Sequence, residues 1–152
     1  MDDPSLLAAV DAALAAPDPL PERLARVCRL LADSRPGYDW VGFYLVDPAA
    51  PRELVLGPFV GAPTEHVRIP FGRGVCGQAA ERGETVVVAD VTAESNYLAC
   101  SLRVRSEIVV PLLDGGRVRG ELDIDSHTAA RFTAADRALC EAVAARVATR
   151  LG

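Results

Sequence analysis

The chain has 152 residues, half of them apolar, which is enough for one domain with a substantial core. A net charge of -5 without a basic cluster argues against a nucleic-acid partner. All 16 basic residues are arginine, which excludes Schiff-base chemistry and P-loop phosphate binding, because both need a lysine.

The N-terminus begins with acidic residues and lacks the pattern of a secretory signal, and no apolar run is long enough to span a membrane. We therefore expect a cytoplasmic protein without a membrane partner. Four cysteines in that compartment point to buried, metal-bound or catalytic thiols rather than to a disulfide framework.

Residues 1–36 predict two helices. Asp3 and Pro4 resemble an N-cap followed by a first-turn proline, and apolar residues then recur at helical spacing. A proline-rich break precedes the second helix, which residues 35–37 end. Cys28 lies in the apolar stripe of this helix, so we expect it in the core.

The pattern changes to strand alternation from residue 39. Trp40, Gly42 and Tyr44 fall on one face of the first strand, and a second strand follows over residues 53–61. Gly42 leaves space between two large aromatic residues, which is typical of a strand that lines a small pocket. The alternative is that both aromatic residues only cover the sheet.

Cys76 follows a glycine-rich turn and precedes good helix formers, so we expect it in the first turn of a short helix. Unpaired backbone N–H groups there favour a thiolate. The glycines that bracket Cys76 are Gly72, Gly74 and Gly77. A phosphate cradle is the weaker interpretation, because the spacing is not G-x-G-x-x-G and no lysine follows.

A short strand over residues 84–90 leads into a polar, irregular loop that carries Cys100. Loops above a rigid sheet often carry functional residues. Arg103 and Arg105 follow closely, and a neighbouring cation favours the thiolate. The alternative is an inert cysteine buried beneath its own loop.

Residues 106–125 give the clearest hairpin pattern, with two apolar runs around Asp114, Gly115 and Gly116. Three acids alternate on one side of the second strand, an arrangement that usually faces solvent: Glu121, Asp123 and Asp125. The functional alternative is that Asp123 and Asp125 line a cavity together with Glu107.

Strand register decides between these alternatives. A two-residue turn pairs Glu107 with Ile124 and sends Glu107 to the opposite face of the sheet. Convergence of the acids needs an odd-length loop or a bulge. We expect such a bulge at Pro111, because proline cannot donate to the ladder.

The last helix begins at Thr133, where Asp136 three residues later resembles a capping box, and Cys140 lies on its apolar side. The chain is thus predicted to have an α+β fold, with a mostly antiparallel sheet flanked by N- and C-terminal helices. Apolar faces on the terminal helices could also support a homodimer.

Several of these segments together resemble the free methionine-(R)-sulfoxide reductase family, whose members have the GAF fold. The matching motifs, in order, are WVGFYL, ELVLGPF, VRIPFGRGVCG, LAC, SEIVVPL, GELDIDS and RFT. The resemblance implies a single GAF-like domain over residues 1–152, with helices in 1–36 and the sheet core in 39–152.

The resemblance implies reduction of free methionine-(R)-sulfoxide, without a cofactor or a metal, by electrons from thioredoxin or a small thiol. Cys100 is then the nucleophile, which becomes a sulfenic acid, and Cys76 is the second thiol. The acids that resemble substrate-binding and proton-donating residues are Glu107, Asp123 and Asp125. Trp40 and Tyr44 resemble the aromatic wall of the substrate pocket.

Two positions depart from the family pattern. His66 stands where the family commonly has a resolving cysteine, and Ser101 follows Cys100 where an aspartate is typical. Two other interpretations stay open. The chain could be a GAF module that only binds a small molecule, or Cys76, Cys100 and His66 could bind zinc, although no ligand spacing supports zinc.

Overall fold

The computed structural model describes residues 1–93 and 103–151. A six-stranded antiparallel sheet forms the centre of the fold, with the strand order β3-β2-β1-β6-β5-β4. The helices are α1 (Asp3–Ala15), α2 (Leu20–Ser34), α3 (Gly74–Arg82) and α4 (Ala134–Ala148). The strands are β1 (Trp40–Asp47), β2 (Ala50–Val60), β3 (Arg68–Pro70), β4 (Val86–Val88), β5 (Ser106–Asp114) and β6 (Arg117–Ser126). The predicted α+β class is confirmed.

The two faces of the sheet pack against different helices. Helices α1, α2 and α4 cover one face, and their apolar stripes meet Phe43, Ile108 and Leu122 in the larger core. Cys28 and Cys140 are fully buried in this core, as predicted. Helix α3 covers the opposite face, where the other side chains of β1, β5 and β6 lie.

The helix boundaries follow the sequence signals with one correction. Asp2, not Asp3, caps α1, and its Oδ1 accepts a hydrogen bond from the Ser5 N–H at 2.8 Å. At α4 the predicted capping box is present, with Thr133 and Asp136 exchanging side-chain to backbone hydrogen bonds. Among the described residues, no helix is long and apolar enough to cross a membrane.

The β5–β6 hairpin has the predicted two-residue turn, in which Gly115 and Gly116 adopt φ values of 58° and 83°. A bulge between Leu112 and Leu113 then shifts the register by one residue. The extra residue is Arg119, so the bulge is not at Pro111 as the sequence suggested. Its consequence is a change of parity that puts residue 107 on the same face as residues 123 and 125.

Candidate active site

The acids of the hairpin converge on the sheet face beneath α3. Glu107 pairs with Asp125 across the β5–β6 ladder, and Asp123 lies two residues before Asp125 on the same side. Glu107 is 2% exposed, and both aspartates are completely buried. The expectation of a solvent-facing row of carboxylates is therefore wrong, and the cavity-facing alternative describes their placement.

Cys76 approaches the acids from α3, where it is the third residue of the helix, as predicted. Its thiol donates to Asp123 Oδ2 at 3.3 Å and lies 4.0 Å from Glu107 Oε2. The helix start favours a negative charge on sulfur, but the carboxylates oppose one. The sequence showed the helix start and did not show these neighbours.

Glycines allow α3 to approach the sheet this closely. Gly72 and Gly74 adopt φ values of 90° and 67°, which residues with a Cβ rarely adopt. A Cβ on Gly77 would lie 2.6 Å from the Pro70 carbonyl oxygen. The glycine-rich turn thus serves backbone geometry and close packing beside Cys76.

Burial changes the acidity of the clustered carboxyls. It raises the pKa of Glu107 well above its usual value, and the negative charges of Asp123 and Asp125 raise it further. The pKa of Asp123 is also raised by burial, although interactions with Glu107 and Cys76 oppose the rise. Carboxyls in this environment hold protons that exposed ones have lost.

Glu121 is a fourth acid of this face, which the sequence interpretation left out of the site. It is completely buried, and neither carboxylate oxygen has a hydrogen-bond partner among the described residues. Burial and then the charge of Asp123 raise its pKa, and the nearby Cys76 thiol opposes this rise. The alternation of acids along β6 was the signal that could have identified it.

Trp40 and Tyr44 stand beside the acids on β1. Trp40 pairs with Asp125 and Tyr44 with Glu121, so their side chains share the acidic face. The two rings stack with centroids 6.4 Å apart. The space above Gly42 is filled, because a Cβ there would lie 2.4 Å from the Trp40 ring. This corrects the expected empty space between the aromatic residues.

The polar ends of both aromatic residues hold the β2–β3 connection. Trp40 Nε1 donates to the Ala62 carbonyl oxygen at 3.0 Å. The Tyr44 hydroxyl donates to the His66 carbonyl oxygen at 2.8 Å. The aromatic wall and residues 62–66 are therefore parts of one hydrogen-bonded structure, which the sequence did not reveal.

The predicted nucleophile, Cys100, lies outside the described residues, so its role stays a prediction. Arg103 and Arg105 are exposed. Among the described residues, the side chains whose ligand atoms are spaced to hold a metal ion are Cys76, Glu107 and Asp123, within 4.8 Å of one another. His66 does not belong to this group.

Comparison with known proteins identifies the class of this fold and site. The GAF domain family model matches residues 19–151. The X-ray structure of free methionine-R-sulfoxide reductase from Neisseria meningitidis in complex with its substrate superposes with a TM-score of 0.90. It is 42% identical, and the match covers 97% of this chain and 87% of that one. The chain thus belongs to the free methionine-R-sulfoxide reductase family of GAF domains.

Two curated proteins are also similar to this chain over most of its length. The free methionine-R-sulfoxide reductase of Escherichia coli is 42% identical over 113 residues, which cover 74% of this chain and 66% of that protein. Protein YtsP of Bacillus subtilis is 45% identical over 112 residues, covering 74% of this chain and 68% of the relative. About a third of each relative's own length lies outside the match.

Proposed function

We propose that the chain reduces free L-methionine-(R)-sulfoxide to methionine, with thioredoxin or another thiol as the source of electrons. The observation that carries the proposal is the buried acid face, in which Glu107 and Asp123 lie against the Cys76 thiol beside Trp40 and Tyr44. It is supported by the similarity to a reductase solved with its substrate.

The first step needs a nucleophile and an acid. In the proposal the Cys100 sulfur attacks the sulfoxide sulfur, and the oxygen moves to cysteine as a sulfenic acid while methionine leaves. Two electrons pass from Cys100 to the substrate, and a proton must reach the sulfoxide oxygen. The raised pKa of Glu107 keeps a proton available in the site, as a general acid requires.

The second step removes the sulfenic acid. In the proposal the Cys76 sulfur attacks Cys100, a disulfide forms, and the hydroxyl leaves as water. Asp123 lies 3.3 Å from the Cys76 sulfur and is suited to accept the thiol proton and return it to the departing oxygen. Thioredoxin or a small thiol then reduces the disulfide.

Trp40 and Tyr44 are proposed to hold the apolar end of the substrate. Both are buried, and their indole and hydroxyl groups already bond to the backbone of residues 62–66. In the proposal their rings contact the methyl and methylene groups of the sulfoxide, while Glu107, Asp123 and Asp125 bind its polar atoms.

The test is turnover of the separate R and S epimers of free methionine sulfoxide with dithiothreitol or thioredoxin. We expect methionine from the R epimer, and a loss of kcat by about 10²- to 10⁴-fold in Glu107→Gln. Glu84→Gln, at an exposed position, is the control. A protein without turnover, but with a melting temperature raised by the sulfoxide, would instead be a binding module.

A further inference from the structure

The geometry points to a zinc site in the reduced protein, formed by the Cys76 thiolate and the carboxylates of Glu107 and Asp123. This inference goes beyond the proposed function, in which the same residues act without a metal. It differs in its ligands from a site made by Cys76, Cys100 and His66, the set considered from the sequence.

The spacing of the ligand atoms fits tetrahedral zinc. With a Zn–S bond of about 2.3 Å and a Zn–O bond of about 2.0–2.2 Å, tetrahedral angles place sulfur and oxygen about 3.5–3.7 Å apart. The Cys76 sulfur lies 3.3 Å from Asp123 Oδ2 and 4.0 Å from Glu107 Oε2. The two observed distances bracket the ideal one, so shifts of a few tenths of an ångström suffice.

Unpartnered oxygens beside these ligands indicate that the cluster can accept a cation. Asp123 Oδ1 and both Glu121 oxygens are completely buried without a hydrogen-bond partner among the described residues. None of the ion pairs within residues 1–93 and 103–151 includes Glu107, Glu121 or Asp123. Buried carboxylates are normally paired or bound to a metal, and a cation held by Cys76, Glu107 and Asp123 would supply the missing positive charge.

The ligand set selects the metal. A thiolate favours zinc over magnesium and calcium, which prefer oxygen alone. When zinc binds, the Cys76 thiol proton and the protons held by the Glu107 and Asp123 carboxyls leave to the buffer, so no oxidant or reductant takes part. Bound zinc would occupy the space between Cys76 and the acids and therefore exclude the sulfoxide.

The experiment is titration of the reduced protein with Zn²⁺ alone by calorimetry, and with Co²⁺ as a spectroscopic substitute. We expect one ion per chain and sulfur-to-cobalt charge-transfer bands. Loss of a residue that only supports a ligand already weakens metal binding by about tenfold or more. Cys76→Ser removes a ligand, so it should weaken Zn²⁺ binding by more than about tenfold and should remove the charge-transfer bands. Excess Mg²⁺ should not compete.

Matched variants locate the site. Cys28→Ser should leave Zn²⁺ binding unchanged, because this buried thiol donates to the Pro58 carbonyl oxygen in the opposite core. Equal affinity in the wild type and Cys76→Ser would overturn the inference. So would loss of binding in Cys100→Ser or His66→Ala while Cys76→Ser still binds.

Two further measurements test the site even if Cys76→Ser does not fold. If circular dichroism shows that Cys76→Ser is unfolded, the near-isosteric Asp123→Asn takes its place, with the same expected loss of affinity. A wild-type Co²⁺ spectrum without a thiolate band also contradicts the site. Because no sulfoxide is present, failure of the proposed reductase activity leaves this result unaffected.

Discussion

Replacing Glu121 with glutamine should make the stability of the protein less dependent on pH. Glu121 is completely buried, and burial together with the charge of Asp123 raises its pKa. The folded protein therefore keeps a proton on Glu121 at pH values where the unfolded chain has lost it. More protons are then bound to the folded state, so its stability falls as pH rises.

The size of the effect follows from linkage. The loss begins near the unfolded glutamate pKa of about 4.3 and continues until the folded pKa is reached. Within that window each pH unit costs about 1.4 kcal/mol for one such carboxyl. Glutamine cannot ionise, so Glu121→Gln does not lose this stability. The unfolding free energy of Glu121→Gln minus that of the wild type should therefore rise with pH, by up to about 1.4 kcal/mol per pH unit.

Urea unfolding of both proteins between about pH 5 and pH 8 measures the difference. Any pH-independent effect of the amide cancels when the two pH values are compared. Glu84→Gln, an exposed change of the same kind, should follow the wild type. If the difference in unfolding free energy between the wild type and Glu121→Gln stays constant across this range, Glu121 does not hold a proton in the folded state as described.

Three further changes test the packing beside the site and on the opposite face of the sheet. Gly42→Ala should destabilise the fold by about 1–3 kcal/mol and weaken sulfoxide binding, because the new Cβ would meet the Trp40 ring. Thermal melting measures the stability, and KM measures the binding. A melting temperature and a KM equal to those of the wild type would contradict this packing. Burial raises the pKa of Cys28 and Cys140 to about 12, so neither thiol should react with a thiol reagent at neutral pH until the protein unfolds. Cys28→Ser should therefore lower the thiol count only after denaturation. Asp136→Asn should cost about 1–2 kcal/mol in urea unfolding through loss of the α4 cap.

Local sequence signals predicted the elements of the fold because each depends on nearby residues. The Gly115–Gly116 turn, the Thr133 cap of α4 and the first-turn position of Cys76 follow directly from residue type and spacing. The cap of α1 is Asp2 and not the predicted Asp3, since both residues are good caps and only the geometry distinguishes them.

The candidate site depended on long-range features that spacing does not show. Alternation puts Glu121 on the face of Asp123, but it does not show that α3 buries that face. Glu107 reaches the face of Asp123 only because Arg119 is an extra residue in β6, and a two-residue turn alone predicts the opposite face. The acid–thiol contact joins residues 47 positions apart, and it exists only after the sheet and α3 have packed.

The most direct test of the reductase proposal is a single turnover with one equivalent of the R epimer and no external reductant. We expect each methionine formed to consume two thiols in the wild type, through an internal disulfide. In Cys76→Ser it should consume one and leave a sulfenic acid on Cys100. Methionine formation that persists in Cys100→Ser, or that occurs without loss of thiols, would contradict the account.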